Sequence, residues 1–200
     1  MRADRMIRNK KCCVLIMLLL GVFIFAGCST SSKYSMNEEY WNLDKMKTEK
    51  KELLNLVDEK GFCIKDHVLI AYIGTQKKIT IPKNVTQIGE NALAGDMYST
   101  TVQEVTVPGN VKKVVSRAFA FTSADIIRFE EGVEEIGEAC FMDAYVKEVF
   151  YPKSVTKAGG RLMETEEGLS GAVIHVVSGS YMENYFKMQM PYGDCSLKVD

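Results

Sequence analysis

The sequence predicts an α/β-type solenoid, in which short units stack because none can bury its own apolar side. Three observations carry this. First, one line of residues recurs: Ile79-Thr-Ile-Pro-Lys-Asn-Val85-Thr-Gln-Ile88-Gly, Val105-Thr-Val-Pro-Gly-Asn-Val111-Lys-Lys-Val114-Val, Ile127-Arg-Phe-Glu-Glu-Gly-Val133-Glu-Glu-Ile136-Gly and Val149-Phe-Tyr-Pro-Lys-Ser-Val155-Thr-Lys-Ala158-Gly. Second, its anchors Val85, Val111, Val133 and Val155 are spaced 26, 22 and 22 apart, the period of a stacked array. Third, each line opens on an apolar-x-apolar triplet, the period-two pattern of a short strand with one buried face.

Each element of the unit has a physical reason. The triplets Ile79/Ile81, Val105/Val107, Ile127/Phe129 and Val149/Tyr151 are strands, and a truncated fifth copy starts at Ile174-His-Val176. Pro82, Pro108 and Pro152 have no N–H for a ladder, so they end the strand and turn the chain. The anchor valine and the residue three later (Ile88, Val114, Ile136, Ala158) are expected to point inward along a tight turn. An inward pair follows: Ala92-Leu93, Ala118-Phe119, Cys140-Phe141 and Leu162-Met163. Stacked about 4.8 Å apart, these positions make a continuous core.

The recurring Ile-x-Ile-Pro-x-x-Val-x-x-Ile-Gly-x-x-Ala-Phe line resembles the BspA-like leucine-rich-repeat family of bacterial surface proteins. The resemblance covers Phe62 to Tyr192, about two-thirds of the chain. Glu130 replaces the proline in the third copy, and Ala158 and Leu162-Met163 depart from the pattern in the fourth. The resemblance implies a right-handed leucine-rich-repeat solenoid of four to five repeats of 22–26 residues, one face of strands and one of short helical turns. It also implies display outside the cell, and it names no ligand.

Upstream, Arg2, Arg5, Arg8, Lys10 and Lys11 precede an apolar run of 14 residues, Cys12 to Phe25, too short for a span of about 20. The Ala26-Gly27-Cys28 ending resembles a bacterial lipobox, with Phe25 where that motif usually has leucine. The expectation is a lipoprotein signal over 1–27 and a lipidated Cys28; the alternatives are an uncleaved membrane helix or cleavage at another small residue. The whole chain has net charge −1, and without 1–27 it has 20 basic and 25 acidic groups, or −5. That balance disfavours a phosphate-tracking nucleic-acid binder and supplies no basic patch for anionic lipid. The membrane tie would therefore be the lipid alone.

Residues 28–36 are serine-rich and polar, as a tether is. Residues 37–73 are expected to form an N-terminal cap, in which the helix covers the open apolar end of the stack or, alternatively, binds a separate partner, and the hairpin is a cap as the resemblance implies. Asn37 caps a helix with Glu38 and Glu39 in its first turn, Leu53, Leu54 and Val57 share one side, and Gly61 stops it. Whether it is one helix or two broken near Thr48 stays open. A hairpin follows, Phe62–Ile64 and Val68–Ile73 about a turn at Lys65-Asp66-His67, with His67 as plain exposed surface. The solenoid spans 74–177, with longer connections within Ala94–Val102 and Gly159–Ala172 that are either contact loops or tolerated drift. Residues 178–200 form a C-terminal cap and tail. Its helix over Ser180–Met188 places Tyr181, Tyr185 and Met188 on one side, and Asp194–Asp200 carries no pattern that assigns an element.

Cys63, Cys140 and Cys195 remain after the signal and Cys28, an odd number without paired or zinc spacing. Cys140 is read as a small core residue, and a Cys63–Cys195 bridge would have to join opposite ends of the stack. His67 and His175 lack partners at ligand spacing, and no phosphate loop, nucleophile elbow or metalloprotease helix is present in the sequence. Neither a metal nor a cofactor is expected, nor an enzyme of the usual kinds.

What remains is a binding surface. The middle residue of each triplet faces away from the core, so Thr80, Thr106, Arg128, Phe150 and His175 form one column. An outward aromatic beside arginine is the composition of a contact hot spot, although aromatics also favour ordinary strand surface. The expected function is a lipid-anchored cell-surface adhesion or binding module for a protein or glycan. The alternative is an envelope scaffold or accessory subunit serving a partner of the same cell.

Overall fold

The computed structural model describes residues 55–94, 102–163, 172–189 and 195–200, all within the second of two compact units, Asn42–Asp200. The expected leader, Cys28, the tether, the helix as far as residue 54, and the connections 95–101 and 164–171 lie outside the described residues.

Two six-stranded sheets form the walls of a β-solenoid. One wall holds β3 (Lys78–Thr80), β5 (Glu104–Val107), β7 (Ser123–Phe129), β9 (Tyr145–Tyr151), β11 (Val173–Val176) and β12 (Ser196–Val199), adjacent in that order and parallel throughout. The other begins with the antiparallel hairpin β1 (Phe62–Lys65) and β2 (Val68–Tyr72). It continues in parallel through β4 (Gln87–Ile88), β6 (Lys113–Val114), β8 (Glu135–Ile136) and β10 (Lys157–Ala158). The hairpin turn is tighter than expected, since Lys65 pairs Val68 and only Asp66 and His67 bridge it. Both have positive φ, 49° and 63°, as a two-residue turn matched to strand twist requires.

The core is one interior row per repeated position. Ile79, Val105, Ile127, Val149 and Ile174 lie in register along the first wall, and Val85, Val111, Val133 and Val155 are each 0 % exposed. Full burial of each valine contributes about 1.5–3 kcal/mol. Aromatic side chains fill the interior between the walls: Phe119 stacks on Phe141 at 5.2 Å, and the Phe129 ring meets Phe141 edge-on at 6.2 Å.

The second wall departs from the expectation of helical turns. The residues two and three past each anchor form two-residue strands, tied to the preceding coil by Val115 N–H to Ile88 O (3.0 Å), Gly137 N–H to Val114 O (2.8 Å) and Gly159 N–H to Ile136 O (2.8 Å). Six residues past each anchor the chain turns through left-handed backbone at Asn91, Arg117, Ala139 and Arg161, with φ of 49–57°. A left-handed residue stops a right-handed helix, so turns form there instead. Gly137 sits where neighbouring coils approach closely: a Cβ there would lie 2.2 Å from the Ser116 nitrogen. The missing proline at Glu130 also has a reason, because its N–H donates to Val107 O at 2.9 Å in the coil before.

Near the N-terminal end the expected helix does not run on to Lys60. Val57 instead bridges Cys63, and Asp58 Oδ1 accepts from the N–H groups of Lys60 and Phe62, both at 2.9 Å. At the other end, α1 (Tyr181–Gln189) is capped by Ser180, whose Oγ accepts from Glu183 N–H, while Glu183 accepts from Gly179 N–H. Its buried side is Met182, Tyr185 and Phe186, not Tyr181, Tyr185 and Met188; Met188 is 69 % exposed. Phe186 reaches the Tyr151 ring (5.3 Å) and the Tyr185 hydroxyl donates to Gly159 O (2.8 Å), and these two contacts set the helix rotation. The tail, unassigned from the sequence, is β12, paired to β11 from Ser196 to Val199.

Candidate functional site

Strict register on the first wall builds the candidate site. Thr80 pairs Thr106, Thr106 pairs Arg128, Arg128 pairs Phe150 and Phe150 pairs His175, so all five expected residues share one column. Lys198 of β12 extends the column by one place; its signal in the sequence is the alternation of Cys195, Leu197 and Val199 with polar residues, too short a stretch to assign a strand by itself. Thr80 and Arg128 are exposed, while Thr106 and Phe150 are half-buried.

The last three of the five form a stack. The Arg128 guanidinium carbon lies 3.7 Å from the centroid of the Phe150 ring. The Phe150 and His175 rings are 3.9 Å apart and 14° from parallel. Phe150 is therefore covered on one side by a cation and on the other by an imidazole. A cation over an exposed ring contributes about 0.5–1 kcal/mol and, more to the point, holds the long arginine side chain in one place.

His175 differs from its expected place on open surface. It is 8 % exposed. Its Nε2 lies 2.8 Å from Glu148 Oε2, and its Nδ1 lies 3.8 Å from Asp200 Oδ2. An ionised carboxylate can only accept, so Nε2 donates to Glu148. His175 thus braces the ladder from beneath, and Arg128 forms its accessible end.

A second outward column runs beside the first: Lys78, Glu104, Ile126, Glu148 and Val173. The adjacent pair Ile126-Ile127 is its one trace in the sequence, since consecutive strand residues cannot both face inward. Its charges are engaged, Glu104 by Lys78 at 2.5 Å and Glu148 by His175.

On the opposite wall a groove of about 280 Å³ is lined by Lys113, Glu135, Lys157 and the neighbouring main chain. Glu135 lies 3.8 Å from Lys113 and 3.4 Å from Lys157, so these charges already serve one another. His67 is exposed but not idle: its Nδ1 lies 2.8 Å from Asn84 O, and its own carbonyl accepts from Thr86 N–H at 2.8 Å. Among the described residues no three His, Cys, Asp or Glu side chains gather as a metal site, and no helix is long and apolar enough to cross a membrane.

A family model described as "BspA type Leucine rich repeat region" matches residues 70–187 in six copies. No curated protein and no solved structure matches the chain.

Proposed function

The chain belongs to the BspA-type leucine-rich-repeat family, and on that premise we propose that it is a binding module, held at a bacterial cell surface by a lipid on Cys28. The observation that supports this most is the Thr80–Thr106–Arg128–Phe150–His175 column, a preorganised arginine–aromatic stack on a parallel sheet face. Such a face gives a partner a rigid platform, with little side-chain entropy left to lose at Arg128 and Phe150. The partner is a protein or glycan met by adhesion; no catalytic role is proposed.

The proposed division is 1–27 as signal, 28–36 as tether, 37–73 as N-terminal cap, 74–177 as solenoid, and 178–200 as C-terminal cap and tail. The hairpin β1–β2 at one end and α1 at the other lie where an open stack would expose apolar surface, which supports reading both as closures. Membrane fractionation tests the anchor: Cys28→Ala is expected to release the protein, and unchanged membrane retention would reject the thioether.

Capture tests the surface. Full-length protein is offered host-matrix extract and envelope extract separately, beside the Arg128→Ala/Phe150→Ala variant. Capture from matrix extract that the double variant loses, with its fold intact by circular dichroism, supports the adhesion reading. Capture confined to envelope extract favours an accessory subunit of the same cell. Undiminished capture by the variant rejects the column.

A further inference from the structure

Resting on that reading of the sheet face, we propose that Arg128 is an anchor for a carboxylate, and that the partner is a protein segment presenting an aspartate or glutamate side chain to it.

Three arginines occur among the described residues, and two are already engaged with acids. Arg117 meets Glu90 at 2.8 Å, and Arg161 meets Glu138 at 2.7 Å, each pair joining one coil to the next. Arg128 has no acidic partner among the described residues, and its one contact of note is the Phe150 ring under its flat face. A stacked guanidinium keeps its in-plane N–H groups directed outward, the geometry that reads a carboxylate with two parallel hydrogen bonds. Thr106, its in-register neighbour about 4.8 Å away across the sheet, adds a hydroxyl on the side opposite Phe150.

The acids of the neighbouring column do not compete. Glu104 is held by Lys78, and Glu148 by His175. The chain as a whole is slightly acidic, so attraction at Arg128 is short-range and not long-range steering. The same stack argues against a neutral sugar. Both faces of Phe150 are covered, by Arg128 and by His175, so no face of that ring is left for a pyranose to lie on. An acidic glycan would carry the same carboxylate, but its sugar ring would lack that apolar platform.

Fluorescence anisotropy on the full-length protein tests the proposal with three labelled probes: an extended peptide with one central glutamate, its glutamine twin, and an oligogalacturonate. The glutamate peptide is expected to bind about tenfold tighter than the glutamine twin, and the oligogalacturonate more weakly than the glutamate peptide. Arg128→Lys is expected to lose most of that preference, and Arg128→Ala all of it. Equal binding of the two peptides, tighter binding of the uronate, or no binding of any probe would overturn the carboxylate anchor. Phe150→Ala separates this failure from that of the wider reading. If it weakens two equally bound peptides, the sheet face still binds and only the carboxylate role falls; if it weakens nothing, both fall.

Discussion

Phe129 stacks on Tyr151 inside the solenoid, ring centroids 5.4 Å apart, and the Tyr151 hydroxyl ends there buried with no hydrogen-bond partner among the described residues. The ring is therefore what the core uses, and the oxygen is a cost. A buried unpaired hydroxyl costs about 1–3 kcal/mol. Tyr151→Phe is expected to raise the melting midpoint by a few degrees, as read by differential scanning calorimetry. A lower midpoint would mean that the hydroxyl has a partner.

Burial also sets a response to alkali. Desolvation pushes the Cys140 thiol above its ordinary 9.0 and the Tyr151 phenol well above 10.0. Below about pH 9 both groups keep their protons folded or unfolded, and their full contribution is present. Above it the unfolded chain releases protons that the folded chain retains, so stability falls as pH rises. Thermal melts from pH 8 to 11 should show that fall, and a Cys140→Ala variant should show a shallower one. Identical slopes would place the effect elsewhere.

Close coil contact at Gly137 predicts a sharp contrast with Gly160, which lies one place past the equivalent position of the next coil. A methyl at Gly137 meets the Ser116 backbone at 2.2 Å, whereas one at Gly160 meets nothing within 4 Å. Gly137→Ala is expected to cost about 1–3 kcal/mol by urea titration, and Gly160→Ala to stay within about 0.5 kcal/mol of the parent. Equal midpoints for the two variants would contradict the stacking.

Ile136 is 2 % exposed and pairs Val114 and Ala158 on the second wall. Ile136→Ala is expected to cost about 2–5 kcal/mol, since its neighbours on both sides are held by their own coils and cannot close the cavity. A midpoint equal to the parent's would show that the row is not structural.

The periodic part of this fold was legible because stacking forces each unit to solve the same problem with the same residue types. The four anchors, the strand triplets and the column from Thr80 to His175 all follow from that constraint. The second wall was not legible, because a two-residue strand such as Lys113-Val114 is too short to show alternation. The left-handed corners were hidden for a different reason: Arg117 and Ala139 carry no mark of positive φ, which is ordinarily written as glycine. The side of α1 was misjudged because Tyr181, Tyr185 and Met188 form as good a stripe as Met182, Tyr185 and Phe186, and only the Tyr151 ring chooses between them. In the candidate site the column was foreseen, but the burial of His175 was not, since it depends on Glu148 in β9 and on Asp200 just past β12.

The zero offset between successive coils has an evolutionary corollary. Val111 and Val133 bound a unit of 22 residues whose strands meet equivalent repeat positions above and below. Tandem duplication of that segment would insert one more rung without disturbing any other, and its excision would remove one as cleanly. A lineage carrying this gene can therefore vary how far the platform reaches by recombination alone: duplication repeats Arg128 in the outward column, excision removes it, and the Phe150–His175 pair stays in place either way.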